Sequence, residues 1–181
     1  KITYTLKKHD LEVCWEVVNN DSETMYFTIG GHPAFRVPVR EGESQSDYRL
    51  AFEGLDTLTY LLIDTSVGTV LSDEPHTLSL ENGTCSIAPH MFDKDALVFD
   101  NGQIQKAGIL FPDGTPSLTL TSEGFPNFGI WSVPGAPFVC LEPWMGRCDD
   151  CGFEKPLSEK ANINVLKPDE EFIKSYQITV H

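Results

Sequence analysis

Residues 138–144 read Phe-Val-Cys-Leu-Glu-Pro-Trp, an apolar run broken by one carboxylate, with an indole two positions later. Side chains alternate faces along a strand, so Phe138, Cys140, Glu142 and Trp144 share one face, while Val139 and Leu141 share the other. Glu142 thus falls on an aromatic face, where a carboxylate is expensive to desolvate and needs a partner. A second unusual segment, Gly30-Gly-His-Pro-Ala-Phe35, closes a β-type run with a histidine that Pro33 keeps out of the helical region. The two glycines ahead of His32 leave room for a ligand or another backbone to approach closely. A fixed histidine and a sequestered glutamate are a candidate acid and base for proton transfer. Sugars rest their C–H faces on aromatic rings and need only a few placed polar groups, so this combination points to carbohydrate. The plainer alternatives are a strand-end histidine bonded to a carbonyl, and a structural carboxylate satisfied by Arg147 or by backbone donors.

The elements that must hold these residues are strands. Ile2, Tyr4 and Leu6 alternate, and Leu11, Val13, Trp15 and Val17 repeat the pattern up to Asn19-Asn20-Asp21-Ser22, which predicts a hairpin. Further strand candidates are 26–31, 48–52, 58–63, 76–80 and 97–99, followed by 104–111 and 117–121 joined across Pro112-Asp-Gly-Thr-Pro116. Segments 128–132 and 138–142 follow, bent apart by Pro134-Gly135, and 163–166 and 172–180 flank Lys167-Pro-Asp-Glu. Roughly a dozen short strands with Gly and Pro turns, and almost no helical periodicity, predict an all-β fold of two packed antiparallel sheets. The stretch 146–160 carries the weakest pattern. No repeat or composition shift divides the chain, so residues 1–181 are expected to form one domain.

The chain has 13 basic against 27 acidic residues and a formal charge of −14, which disfavours nucleic acid and anionic membrane surfaces as partners. A neutral small molecule suits it better. No apolar run reaches membrane-spanning length, no signal-peptide pattern opens the chain, and five cysteines show no disulfide framework, so a cytoplasmic location is expected. Cys148-Asp-Asp-Cys151 has the spacing of half a zinc site but lacks a second cysteine pair. His90, Asp93 and Asp95 lie in a probable loop, where a substrate-contacting Asp is a better expectation than a metal cluster. Phosphate loops, dinucleotide fingerprints and the Gly-x-Ser-x-Gly elbow are absent.

With Gly30-Gly-His-Pro-Ala-Phe35, Phe138-Val-Cys-Leu-Glu-Pro-Trp144 followed by Gly146, and Asn162-Ile-Asn-Val-Leu166 before a terminal strand, the chain resembles the aldose 1-epimerase family, and its LacX-type branch most. The resemblance implies a large antiparallel β-sandwich of the galactose mutarotase type, with a sugar on a concave face. It implies that His32 is the general acid on the ring oxygen and Glu142 the base on the anomeric hydroxyl, with neither cofactor nor metal. It further implies that Asp95, in preference to Asp93, meets sugar hydroxyls and that Phe128 or Trp144 lines the pocket, to which Phe35 beside His32 is expected to add an aromatic edge. Family members carry a further N-terminal stretch, including an arginine and an earlier histidine of the sugar site, so an N-terminally truncated sandwich is expected. Sheet edges exposed by that loss would favour self-association. A phosphorylated hexose would need a basic cluster, for which Arg36, Arg40 and Arg147 are the candidates. A carbohydrate-binding sandwich without turnover is the third expectation.

Overall fold

The computed structural model describes residues 1–181 and consists of strands and turns. In chain order they are β1 (Ile2–Lys7), β2 (Asp10–Val18), β3 (Met25–Phe27), β4 (Ile29–Gly30), β5 (Ala34–Arg36) and β6 (Arg49–Phe52). Next come β7 (Thr57–Tyr60), β8 (Ile63–Asp64), β9 (Thr69–Val70), β10 (His76–Ser79), β11 (Thr84–Ser86) and β12 (Leu97–Phe99). The last six are β13 (Lys106–Leu110), β14 (Pro116–Thr121), β15 (Asn127–Trp131), β16 (Phe138–Met145), β17 (Asn164–Leu166) and β18 (Glu171–Val180). Two three-residue 3₁₀ turns, Gln45–Asp47 and Leu157–Glu159, are the only helical pieces, and no helix is long and apolar enough to cross a membrane.

Two antiparallel sheets dominate. One has seven strands in the order β1-β2-β18-β14-β13-β6-β11; the other runs β12-β15-β16-β4, with β5 also paired to β16. The predicted first hairpin is present, with Lys7 opposite Asp10 and Lys8 in the left-handed region at φ 56°. The Asp-Gly turn joins β13 to β14 as expected: Asp113 Oδ1 accepts the Thr115 N–H at 2.9 Å and Gly114 sits at φ 82°. β17 and β18 flank the 167–170 turn but take different partners: β17 pairs with β3, and β18 lies between β2 and β14. The count exceeds the expected dozen because of two- and three-residue pieces: β5 and β11 take their pairing from distant strands, and β9 pairs with β8 across a short turn.

Both sheets turn one row of side chains inward, and these rows meet in a core of 24 buried residues. Val13, Trp15, Leu50, Phe52, Ile109, Leu120 and Ile178 come from the larger sheet; Leu97, Phe99, Phe128, Ile130, Val139 and Leu141 come from the smaller. This is the β-sandwich that the alternation predicts. The odd-numbered residues of β16 thus point into the core and the even-numbered ones emerge on the outer face of the smaller sheet. A satellite cluster of Leu61, Val70 and Val98 packs on that outer face together with Ile63, Trp144 and Cys148.

The larger sheet overhangs this core at β1. Ile2, Tyr4 and Leu6 stand opposite Trp15, Val13 and Leu11, on the core-facing side, yet they are 55%, 67% and 74% exposed. Val13 and Trp15, one strand further in, are 3% exposed. Leu141→Ala should therefore cost about 2–5 kcal/mol in urea unfolding, whereas Leu6→Lys should change stability by no more than about 0.5 kcal/mol. A comparable loss from both would mean that the row on β1 is part of the packed core.

Candidate functional site

The pairing of β16 with β4 and β5 builds the site. Gly30 lies opposite Trp144 and Ala34 opposite Cys140, and the same register puts His32 opposite Glu142. Only two backbone bonds bracket the pair: the Gly31 N–H donates to Pro143 O at 2.9 Å, and the Leu141 N–H donates to Pro33 O at 3.3 Å. These bonds fix which positions are hydrogen-bonded, so His32 and Glu142 occupy a non-hydrogen-bonded pair, where opposite side chains approach most closely. The return bonds are missing because Pro33 and Pro143 have no N–H. His32 Nδ1 comes within 3.4 Å of Glu142 Oε1.

The two partners live in different environments. The His32 side chain is 61% exposed and that of Glu142 is 5% exposed. Burial pushes the Glu142 carboxyl up to about 7; the Trp144 side chain opposes this and the Asp95 charge adds to it. A carboxylate shifted this way is poised to gain or lose a proton near neutrality. Arg147 does not serve it. That guanidinium makes two hydrogen bonds to Asp100 Oδ2 and Oδ1 from Nε, a third to Asp100 Oδ2 from Nη2 at 2.8 Å, and one to Asp150 at 2.8 Å. The alternative in which Arg147 satisfies Glu142 is therefore wrong, and the stretch after β16 is tied down rather than loose.

A cavity of about 250 Å³ opens beside the pair, lined by His32, Ile63, Asp95, Ala96, Trp131, Glu142 and Trp144. A larger one of about 610 Å³ adjoins it and shares Ile63, Asp95 and Trp144. Asp95 sits in the left-handed region at φ 73°, and its Oδ1 accepts the Ala96 N–H at 2.6 Å. Asp93 instead turns to His90, 2.8 Å away, on the surface. Of the residues expected at the site, the structure therefore brings together His32, Glu142, Asp95 and Trp144.

Phe35 and Phe128 are not there. Phe128 stands opposite Pro143 and Phe35 opposite Val139, both on the core-facing row; Phe128 is 1% exposed and Phe35 packs against the core. The expectation that these two rings line the pocket is corrected by strand parity. Beside Trp144, the ring that lines it is Trp131, opposite Cys140 on β15, its plane nearly perpendicular to the His32 imidazole at 5.7 Å between centroids. Its distance of three residues from Phe128 puts it on the other face, a signal already present in the alternation of 127–131.

Trp144 lies flat because glycines flank it. A Cβ on Gly30 would fall 2.6 Å from Trp144 Cδ1, and a Cβ on Gly129, opposite Glu142, would overlap the six-membered ring. Gly31 is needed for a different contact: a Cβ there would stand 2.9 Å from the Tyr176 hydroxyl of the larger sheet. The close approach foreseen at the Gly-Gly pair is thus made by two of the protein's own side chains.

Three potential metal ligands converge: His32, Cys140 and Glu142 have ligating atoms within 4.8 Å of one another. Burial pushes the Cys140 thiol up to about 12, with the Glu142 charge adding to the effect. All five cysteines are free thiols. The two of the Cys148–Cys151 pair differ: Cys148 is half-buried beside the satellite cluster and Cys151 is exposed.

The architecture is that of the galactose mutarotase-like β-sandwich. Over 99% of this chain superimposes on a galactose mutarotase related enzyme from Lactobacillus acidophilus, with TM-score 0.87 and 26% identity, covering 60% of that chain. A galactose mutarotase-like protein from Lactobacillus casei gives TM-score 0.83 at 27% identity, covering 62% of that chain. The family model for aldose 1-epimerase matches residues 1–179, and the chain belongs to that family. It is 29% identical over 183 residues to the LacX proteins of Lactococcus lactis subsp. lactis. The alignment takes in 99% of this chain but 61% of the LacX length, so the chain spans about three-fifths of the curated relatives it matches.

Two measurements probe this geometry. Gly129→Ala should displace the Trp144 ring, costing about 1–3 kcal/mol and altering the near-ultraviolet circular dichroism; an unchanged spectrum would show that the ring does not depend on that glycine. Glu142 should set a pH dependence of stability. Its folded value near 7 lies above the ordinary carboxylate value, so its contribution is intact below about 4.3 and is lost as pH rises through 7. Glu142→Gln should accordingly gain on the order of 2–3 kcal/mol over the parent at pH 8 and nearly nothing at pH 4, in denaturant titrations. A gain that is equal at both pH values would remove the carboxyl proton as its source.

Proposed function

We propose that residues 1–181 act as one aldose 1-epimerase-like unit that interconverts the α and β anomers of a free hexose. The observation that carries the reading is the register that sets an exposed imidazole directly across from a buried carboxyl titrating near 7. Ring opening needs a proton removed from O1 and one delivered to O5. Both oxygens are bonded to C1, so the acid and the base must reach neighbouring points in space, as side chains of one cross-strand pair do. Glu142 takes the O1 proton, His32 protonates O5, the C1–O5 bond breaks and C1 becomes an aldehyde. Rotation about C1–C2 presents the other carbonyl face; the reverse transfers then close the ring. The sugar exchanges the His32–Glu142 contact for one contact to each.

Asp95 is suited to receive a sugar hydroxyl, while Trp131, Trp144 and Ile63 supply apolar walls for C–H faces. Because Glu142 must be ionised to act, a carboxyl near 7 combines a populated base form with useful basicity. A neutral sugar is favoured over a phosphorylated one because the candidate arginines are engaged or absent. Arg147 is neutralised by Asp100 and Asp150; Arg40 contacts Glu43 and Asp113 and covers the Phe111 ring; Arg36 is exposed and lines neither cavity. Lys160, at the larger cavity, is held by Asp149 at 2.7 Å.

Polarimetry of freshly dissolved α-D-glucose and α-D-galactose tests the reading. The chain should accelerate mutarotation, and His32→Ala and Glu142→Gln should each lower the rate by about 10²–10⁴. Below pH 7 the rate per molecule should fall as Glu142 takes up a proton and ceases to act as a base. Sugar binding without acceleration would replace this reading with a binding module, and retained activity in Glu142→Gln would exclude the carboxylate as base.

A further inference from the structure

The cavity beside the acid–base pair is lined by two carboxylates, Asp95 and Glu142, with no lysine or arginine among its lining residues. Behind Glu142 on the same face of β16 lies Cys140, whose sulfur no step of ring opening uses. The Sγ of Cys140, a ring nitrogen of His32 and a carboxylate oxygen of Glu142 lie within 4.8 Å of one another, and the nitrogen-to-oxygen edge is 3.4 Å. Ligands each about 2.0–2.3 Å from one tetrahedral zinc ion are separated by distances of this order. Cys140 and Glu142 come from β16, and His32 from the segment between β4 and β5 that backbone bonds hold against it, so the triangle is largely built before any ion arrives. We propose that His32, Cys140 and Glu142 form a binding site for one thiophilic divalent cation of the zinc type, and that its occupation blocks the acid–base pair.

The chemistry selects the ion. Thiolate and imidazole favour zinc, cobalt and cadmium over magnesium and calcium, which prefer all-oxygen sites. A protein triad of imidazole, thiolate and carboxylate leaves the fourth position to water on the open side of His32. Binding is coordination without redox change: the Cys140 thiol proton, and any proton on Glu142 or on the ligating nitrogen of His32, leave to bulk water as the metal–sulfur, metal–oxygen and metal–nitrogen bonds form. The carboxylate can no longer accept the O1 proton, and the ligating imidazole is withdrawn from O5. The inhibitory half rests on the acid–base reading above; the binding half does not.

Cobalt titration of the full chain separates the two, since a thiolate ligand adds a near-ultraviolet charge-transfer band to bound Co²⁺. In a Cys148→Ser, Cys151→Ser background, the band should saturate at one equivalent, be displaced by Zn²⁺ and ignore Mg²⁺. Adding Cys140→Ser should abolish it and weaken Zn²⁺ binding by about tenfold or more. His32→Ala, at an exposed position that makes no demand on the core, should weaken binding similarly. Mutarotation by Cys140→Ser should persist and lose its sensitivity to Zn²⁺. No thiolate band in the double-serine protein, or a band untouched by Cys140→Ser and by His32→Ala, would overturn the site. A band that behaves as expected in a chain without mutarotation would keep the site and overturn the acid–base reading instead.

Discussion

The candidate site rests on one register. β16 meets β4 and β5 so that His32 stands opposite Glu142 at a non-hydrogen-bonded position. A slip of one residue would send Glu142 into the core and bring Leu141 out in its place. What resists the slip is the opposite row: Val139 and Leu141 are fully buried among the chains of the larger sheet, so the apolar core pins the alignment of the polar pair on the other side. Hydrophobic burial on one face thus supplies the positional accuracy of the proposed acid and base on the other.

That accuracy comes with an electrostatic cost. Glu142 lies among Trp144, Ile63 and Ala96, close to a second carboxylate and without a guanidinium partner, so its charge is poorly solvated and its proton is held to about 7. The nearby Arg147 could have relieved this, but Asp100 and Asp150 claim it, and Asp100 also takes the Asn127 side-chain N–H at 2.7 Å. The polar network stabilises the loop after β16 while leaving the carboxylate unquenched. Strain of this kind at a site is common where a group must change protonation state.

Much of this was legible in the chain. Alternation revealed the sandwich and the first hairpin, and parity within 138–144 separated Glu142 and Trp144 from Val139 and Leu141. Phe35 is three residues from His32 and therefore on the opposite face, as local spacing shows; alternation likewise separates Trp131 from Phe128, but which of them shares the face of Glu142 depends on the pairing of β15 with β16. The partners of Arg147 lie 47 positions away at Asp100 and three away at Asp150, and only the fold reveals that the distant one competes with Glu142. The use of Gly129 was hidden for the same reason: its empty space is defined by a side chain on another strand.

The two catalytic candidates are also carried by unequal supports. Glu142 belongs to an eight-residue strand paired on both sides, whereas His32 lies in the gap between a two-residue and a three-residue strand at the edge of its sheet, with one backbone bond on either side. Pro33 and Pro143 each remove one ladder bond, so the backbone at His32 is held by fewer cross-strand bonds than that at Glu142. In the two anomers O1 points in different directions from the ring, so a sugar that keeps O1 on a fixed base must carry O5 to two different places. In the proposed reaction the less tethered side of the pair is the one that meets O5 in both places, while the base on the doubly paired strand keeps to one.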